Sequence, residues 1–356
     1  MSRWVNPVLM HSGDLCSVAY RDFPRAESYM DVWQAAGYHG VRGGWTVLMV
    51  QPHWRGREFG PWLQGYRDTI ARVQDALDQR GLMWFVSQGD LWHLDAAGRA
   101  AVREAQLATL SRQTVIGMDG ANEPVNNGNA SPDAIRAWLR PFLERWPDLI
   151  YALGAPVGEE KAGLDAYAGR IYSVHGFRLD RWWDKIRHIF SIPWEIKPAR
   201  RLGHQAEPFG PGPYVSGVAN KHELTAGVMQ AACVQSLMCR QAWTFFAGCE
   251  REEARFEDQP GFWETPKIAQ FVPKDVMTWE LTHGGESQAG KQWFACTDDH
   301  PGGPKTMRVD QAIAPDGRAI ALAYGPNLRD HEQTRGTVEQ RIDLEDKAIL
   351  YLGRAA

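Results

Sequence analysis

The sequence predicts an α/β fold: a (β/α)8 TIM barrel over residues 1–285, followed by a small antiparallel β appendage over residues 286–356. Three observations predict it. Short apolar runs alternate with amphipathic helical stretches through the first part of the chain, the pattern of βαβ units on a parallel sheet. There are eight such runs, the number that closes a barrel. Beyond Gly284 the helical periodicity stops, and strand-like runs flank a turn signal.

Val8-Leu9-Met10 is the first strand. Pro24 opens a helix through Val32 and Trp33, and Gly37 stops it. His39 to Gly44 reads as the second strand and its exit. Ile70, Val73 and Leu77 mark the buried face of the next helix, ended by Gly81. Leu82 to Ser87 supplies a third strand, with a helix from Ala96 to Arg112 after it. Val115 to Gly120 is the fourth strand, with Asn122 and Glu123 just past its end. Ser131-Pro132-Asp133 is a helix start, a hydroxyl cap followed by proline in the first turn. Ile150 to Gly154 and Arg170 to His175 are the fifth and sixth strands, and a helix spans Leu179 to Phe190. The seventh strand ends near Glu207. Asn220 with Glu223 has capping-box spacing for the following helix. Ala242 to Ala247 is the eighth strand. In the appendage, Thr306–Val309 and Ala319–Tyr324 flank the turn Ala314-Pro315-Asp316-Gly317, and Ile349–Leu352 adds a strand.

Composition narrows the class of function. A length of 356 residues accommodates a barrel of roughly 250 residues plus the appendage. With 44% hydrophobic and 23% charged residues the chain reads as soluble and globular. A formal net charge of −4 without a Lys/Arg stripe argues against nucleic-acid binding. No apolar run approaches the ~20 residues that span a bilayer. The opening Met1-Ser2-Arg3-Trp4-Val5-Asn6-Pro7 lacks a secretory hydrophobic segment, so the expectation is a cytoplasmic protein, or a secreted one whose signal has been removed. Five cysteines without a CxxC pair read as reduced thiols, and no metal or cofactor is implied. The 16 tryptophans are unusual, and an indole face can stack on a sugar ring. Trp45, Trp54, Trp92 and Trp263 follow strand ends and are candidate platforms; Trp138, Trp146, Trp182 and Trp183 lie in helices and read as packing.

The chemistry is carried by two glutamates. In a (β/α)8 barrel the active site lies at the C-terminal ends of the strands. Glu123 follows strand four and Glu207 ends strand seven, so both belong at the barrel mouth. Glycoside hydrolysis needs such a pair, one carboxylic acid to protonate the departing oxygen and one carboxylate to attack or to activate water. Glu195 and the run Glu250, Glu252, Glu253 compete with Glu207, but the first precedes strand seven and the others follow strand eight.

Asn122-Glu123-Pro124, Glu207, Arg42 after strand two and His175 after strand six together resemble glycoside hydrolase clan A, in particular a divergent family-5-like enzyme. The resemblance covers residues 8–285. It implies a retaining glycosidase acting on a β-linked oligo- or polysaccharide, with Glu123 as general acid/base and Glu207 as nucleophile. It further implies that Asn122 bonds the sugar 2-hydroxyl, that Arg42 holds the nucleophile ionised, and that His175 lies near the acid/base and the substrate; Trp45 and Trp92 are placed at the substrate by their positions after strand ends alone. The chain departs from the family where a histidine is usual near the end of strand three, having Ser87-Gln88-Gly89-Asp90, and where a tyrosine is usual after strand six, having Phe177. Two other readings follow from the residues. A barrel that binds carbohydrate without cleaving it fits those departures, and a metal-dependent hydrolase would use His11, Asp119 and His204, although no HxH or HExxH spacing supports it. Arg42 also suits a structural ion pair, and His175 a satisfied barrel histidine.

Overall fold

The computed structural model describes residues 7–49, 56–121, 130–154, 161–175, 181–195, 202–207, 224–245, 255–283, 293–294, 307–328 and 335–356. One sheet holds eight parallel strands, β1 (Val8–Ser12), β2 (Gly40–Gly43), β3 (Met83–Ser87), β4 (Val115–Asp119), β5 (Ile150–Ala152), β6 (Ile171–His175), β7 (Leu202–Glu207) and β8 (Gln241–Phe245). Their order is β5-β4-β3-β2-β1-β8-β7-β6, with β1 bonded to both β2 and β8. Between β5 and β6 the Arg170 amide donates to the Tyr151 carbonyl at 3.0 Å. The expected barrel is present and nearly closed.

Helices α1 (Leu15–Arg21), α2 (Phe23–Ala36), α3 (Tyr66–Gln79), α4 (Ala96–Thr109), α5 (Pro132–Arg145), α6 (Lys161–Tyr167), α7 (Trp182–Glu195) and α8 (Ala226–Met238) follow the strands. Their ends obey local chemistry. The Asp22 side chain accepts from the Arg25 amide to open α2, and Gly37 closes it with φ 91°. Ser131 accepts from the Ala134 amide at 3.2 Å and starts α5. Ile70, Val73 and Leu77 form the buried stripe of α3. Asn220 and Glu223 lie outside the described residues; the cap of α8 is Thr225, whose hydroxyl accepts from the Val228 amide. Cys16, Cys233 and Cys239 are buried free thiols. Among the described residues no helix is long and apolar enough to cross a membrane.

The exit of β2 is sterically determined. Gly43 has φ +118°, and a Cβ there would stand 2.4 Å from the Ser12 carbonyl oxygen. The same residue's carbonyl accepts from the Trp84 indole at 3.0 Å. Gly43→Ala therefore combines left-handed backbone strain with a backbone collision that no side-chain rotation relieves, and is expected to cost about 2 kcal/mol or more. A lowered urea midpoint with an unchanged slope is the expected measurement.

The C-terminal sheet has five antiparallel strands in the order β12-β13-β11-β10-β9: β9 (Glu280–His283), β10 (Arg308–Ile313), β11 (Arg318–Tyr324), β12 (Thr337–Leu344) and β13 (Ala348–Arg354). The predicted hairpin joins β10 to β11, where Gly317 takes φ +86° and donates to the Ala314 carbonyl. The sheet also recruits β9, which lies on the barrel side of the boundary expected at residue 285.

Helix α8 joins the two sheets. Every residue from Gly227 to Met238 except Gln230 is buried, because the helix packs on the barrel on one side and on the antiparallel sheet on the other. The Gly227 amide donates to the Glu345 carboxylate at 2.9 Å. Near its other end Gln235 donates to Asp310, which is fully buried and also accepts from Arg308 and Tyr324, each bond 2.7 Å long. The Arg308 guanidinium stacks over the Phe190 ring of α7, 5.0 Å from its centroid.

Candidate functional site

The barrel interior is layered. Leu9, Phe85, Ile116, Ile150, Ala152, Ile171 and Ala242 form an apolar cluster separate from the core between sheet and helices. Side chains two residues apart on a strand share a face. Leu9 is therefore followed inward by His11, Ile171 by Ser173 and His175, and Ala242 by Thr244. The apolar layer thus lies beneath a polar one on the C-terminal side, where a barrel carries its chemistry.

Arg42 of β2 is the centre of the polar layer and is 1% exposed. Its Nε and Nη2 both donate to Asp119 Oδ2, at 3.2 and 3.1 Å. Its Nη1 lies 3.2 Å from His11 Nδ1, and Nη2 lies 3.5 Å from His175 Nε2. Four strands thus converge on one guanidinium. A buried cation without a counter-charge is strongly unfavourable, and Asp119, itself fully buried, supplies that charge. On the neighbouring strands His204 Nε2 lies 2.6 Å from the Thr244 hydroxyl, and its ring meets Phe85 edge-on at 4.9 Å.

Burial holds the His204 imidazole well below the ordinary histidine range, and Arg42, His175 and His11 push it further down. Burial likewise lowers His188 of α7, to about 4. Both rings bind a proton less readily folded than unfolded. Their contribution to stability is complete above the unfolded value of ~6.5 and is lost as pH falls through the folded values. Denaturant midpoints are expected to decline steadily from pH 7 toward pH 4; a midpoint independent of pH over that range would contradict it.

The expected site residues divide into three groups. Arg42 and His175, from different strands, are brought together. Glu207 is the last residue of β7, and a β-bulge between Val174 and His175 makes it the register partner of His175. Asn122 and Glu123 lie outside the described residues, as do Trp54 and Phe177. Their approach is well anchored, however. The Gly120 amide donates to the Ala152 carbonyl, and the Gly120 carbonyl accepts from the Trp92 indole at 2.9 Å. Trp92 is half-buried beneath the Arg99 guanidinium, 5.4 Å from the ring centroid.

Trp45 packs into the core with 8% exposure, next to Gly13 and Gly89, so little of its ring faces solvent. Trp263 is half-buried, and Trp138, Trp146 and Trp182 are packing residues as expected. Trp243 and Phe245 of β8 face the helices, and Thr244 faces the interior. After β3, Gln88 bonds Thr46 and Gln106, and Asp90 accepts from the Met49 amide, so both brace the loop after β2. Ser87 is fully buried beside Asp119 in register.

Sequence reasoning missed Asp119 as the partner of Arg42, and weighed His11, Asp119 and His204 only as metal ligands. Among the described residues no group of three His, Cys, Asp or Glu side chains has the arrangement to hold a metal ion. The signal that was available is position. His11, Arg42, Asp119 and His175 are charged or ionisable residues in the C-terminal half of short, largely apolar strands, and His204 lies one layer deeper in β7.

No family model matches the sequence, and no curated protein matches it significantly. Solved structures do match. The GH5_18 glycoside hydrolase from Streptomyces cattleya, solved with Manβ1-4GlcNAc, superposes with a TM-score of 0.51 at 15% identity, over 74% of this chain and 80% of that one. The noncanonic maltogenic α-amylase AmyB from Thermotoga neapolitana gives 0.59 at 9% identity, over 100% of this chain and 96% of that one. An α-amylase from Geobacillus thermoleovorans, complexed with acarbose, gives 0.56 at 9% identity, over 99% and 97%. At these identities the likeness is one of fold, and it includes the glycoside hydrolases that the short motifs resemble.

Proposed function

We propose that this chain is a retaining glycoside hydrolase that cleaves a β-linked glycan by double displacement. The observation that carries the reading is the pairing of β6 with β7. Glu207 is the register partner of His175, and His175 lies 3.5 Å from the permanently charged Arg42. Both positions end neighbouring strands on the side where a barrel carries its chemistry, which suits Glu207 to the nucleophile role.

In the reaction Glu207 attacks the anomeric carbon while protonated Glu123 gives its proton to the leaving oxygen. The resulting glycosyl–Glu207 ester is opened by water, whose proton Glu123 takes as the sugar leaves. The retaining mechanism calls for the two carboxyl groups to lie roughly 5–5.5 Å apart. Asn122 binds the sugar 2-hydroxyl, and His175 and Arg42 line the floor of the site. Trp92 has more open ring surface for stacking than Trp45. The S. cattleya neighbour was solved with a β-linked disaccharide, which makes that linkage class the first to test.

A binding-only barrel is the second reading, favoured by the buried residues Ser87, Gln88 and Asp90 in the stretch where the resemblance calls for a histidine. The deciding experiment is a screen of the purified protein against aryl β-glycosides, β-glucan, mannan and xylan, with aryl α-glycosides alongside and Glu123→Ala as control. Hydrolysis of a β-linked substrate that the variant loses supports the glycosidase. Binding without turnover supports the second reading, and cleavage of α-linked substrates alone overturns the linkage.

A further inference from the structure

Arg42 has five N–H donors and no acceptor, so any ring nitrogen bonded to it must present a lone pair. His11 meets Nη1 through Nδ1 and His175 meets Nη2 through Nε2, at 3.2 and 3.5 Å. These contacts require His11 to carry its proton on Nε2 and His175 to carry its proton on Nδ1, with both rings neutral. The guanidinium can impose this only while its own orientation is fixed. That orientation comes from β4, where one oxygen of fully buried Asp119 accepts from both Nε and Nη2.

We propose that Asp119 is a positioning residue acting through Arg42: it orients the guanidinium so that the remaining N–H groups set the tautomers of His11 and His175. His175 then carries an N–H on Nδ1 at the strand position paired with Glu207. A carboxylate on β4 thereby prepares a hydrogen-bond donor on β6 without touching substrate, in the way that outer partners orient metal-binding histidines. The kinetic half of the inference rests on the glycosidase reading; the tautomeric half does not.

The test is long-range 1H–15N correlation spectroscopy on 15N-histidine-labelled protein at pH 7.5, with His11→Gln and His175→Gln assigning the two rings. The wild type is expected to show two neutral rings of opposite tautomer. Asp119→Asn is expected to mix or reverse at least one of them, and Asp119→Glu to retain both. A charged ring, or the other tautomer on His175, overturns the inference from the wild-type spectrum alone, whether or not any variant folds. Unchanged tautomers in folded Asp119→Asn overturn it equally. On an aryl β-glycoside, Asp119→Asn should lower kcat by roughly 10–100-fold with little change in KM. A wild type with the expected tautomers and no hydrolysis sinks the glycosidase reading and leaves the positioning role standing.

Discussion

Glu207→Gln is expected to lower turnover by roughly 10⁴-fold or more while the melting temperature stays within a few degrees of the wild type. The amide keeps the shape of the side chain and removes its negative charge, so the attack on the anomeric carbon loses its nucleophile. Two further measurements separate this role from a merely structural one. In Glu207→Ala, azide supplied from solution can attack in place of the carboxylate, and the product should be the α-glycosyl azide. In Glu123→Ala the first step still proceeds with a good aryl leaving group, and azide should then open the glycosyl–Glu207 ester to the β-glycosyl azide. Turnover near the wild-type level in Glu207→Gln removes that residue from the nucleophile role. The same azide product from both alanine variants overturns the assignment of roles.

Asp310→Ala is expected to destabilise the fold by about 3–5 kcal/mol, the cost of breaking a buried ion pair from one side. Its carboxylate is fully buried and takes three bonds, from Arg308 on its own strand, from Tyr324 on β11 and from Gln235 on α8. Burial and the adjacent negative charge raise the Tyr324 hydroxyl well above its ordinary value, so it serves as a proton donor throughout the usable pH range. Removing the carboxylate leaves the Arg308 cation and two polar groups without their partner. The expected readout is a large fall in the urea midpoint for Asp310→Ala. Tyr324→Phe removes a single bond and should lose about 1–2 kcal/mol. Equal effects for the two substitutions would contradict the account, since only the first strands a buried charge.

The barrel is legible in the sequence because its signals are local. The hydroxyl cap and proline at Ser131-Pro132, the stop at Gly37 and the apolar runs of the strands can each be read over a few residues. What escapes is what depends on distant partners. Strand β12 is exposed from Thr337 to Arg341, and its apolar alternation is broken by Gln340, so only Ile342 and Leu344 turn toward the core and the strand signal is weak. Strand β9 lies among residues that periodicity assigns to the barrel, and only its pairing with β10 moves it to the second sheet. The site divides in the same way. Arg42, His175 and Glu207 stand out through their strand-end positions and a family resemblance. Asp119 sits four residues before Glu123 and reads as an incidental acid until barrel closure brings its side chain to Arg42, two strands away.

The burial of α8 on both sides has a consequence for how the chain is made. The helix belongs to the barrel in sequence, yet its outer face is covered by strands that are synthesised about a hundred residues later. While the ribosome is still producing the C-terminal part, that face is an uncovered apolar surface on an almost complete barrel. Closure therefore waits for the late segment, which acts on the early one much as an internal chaperone would. A version cut after β8 should collect in inclusion bodies, and co-expressing the missing segment should return part of it to solution.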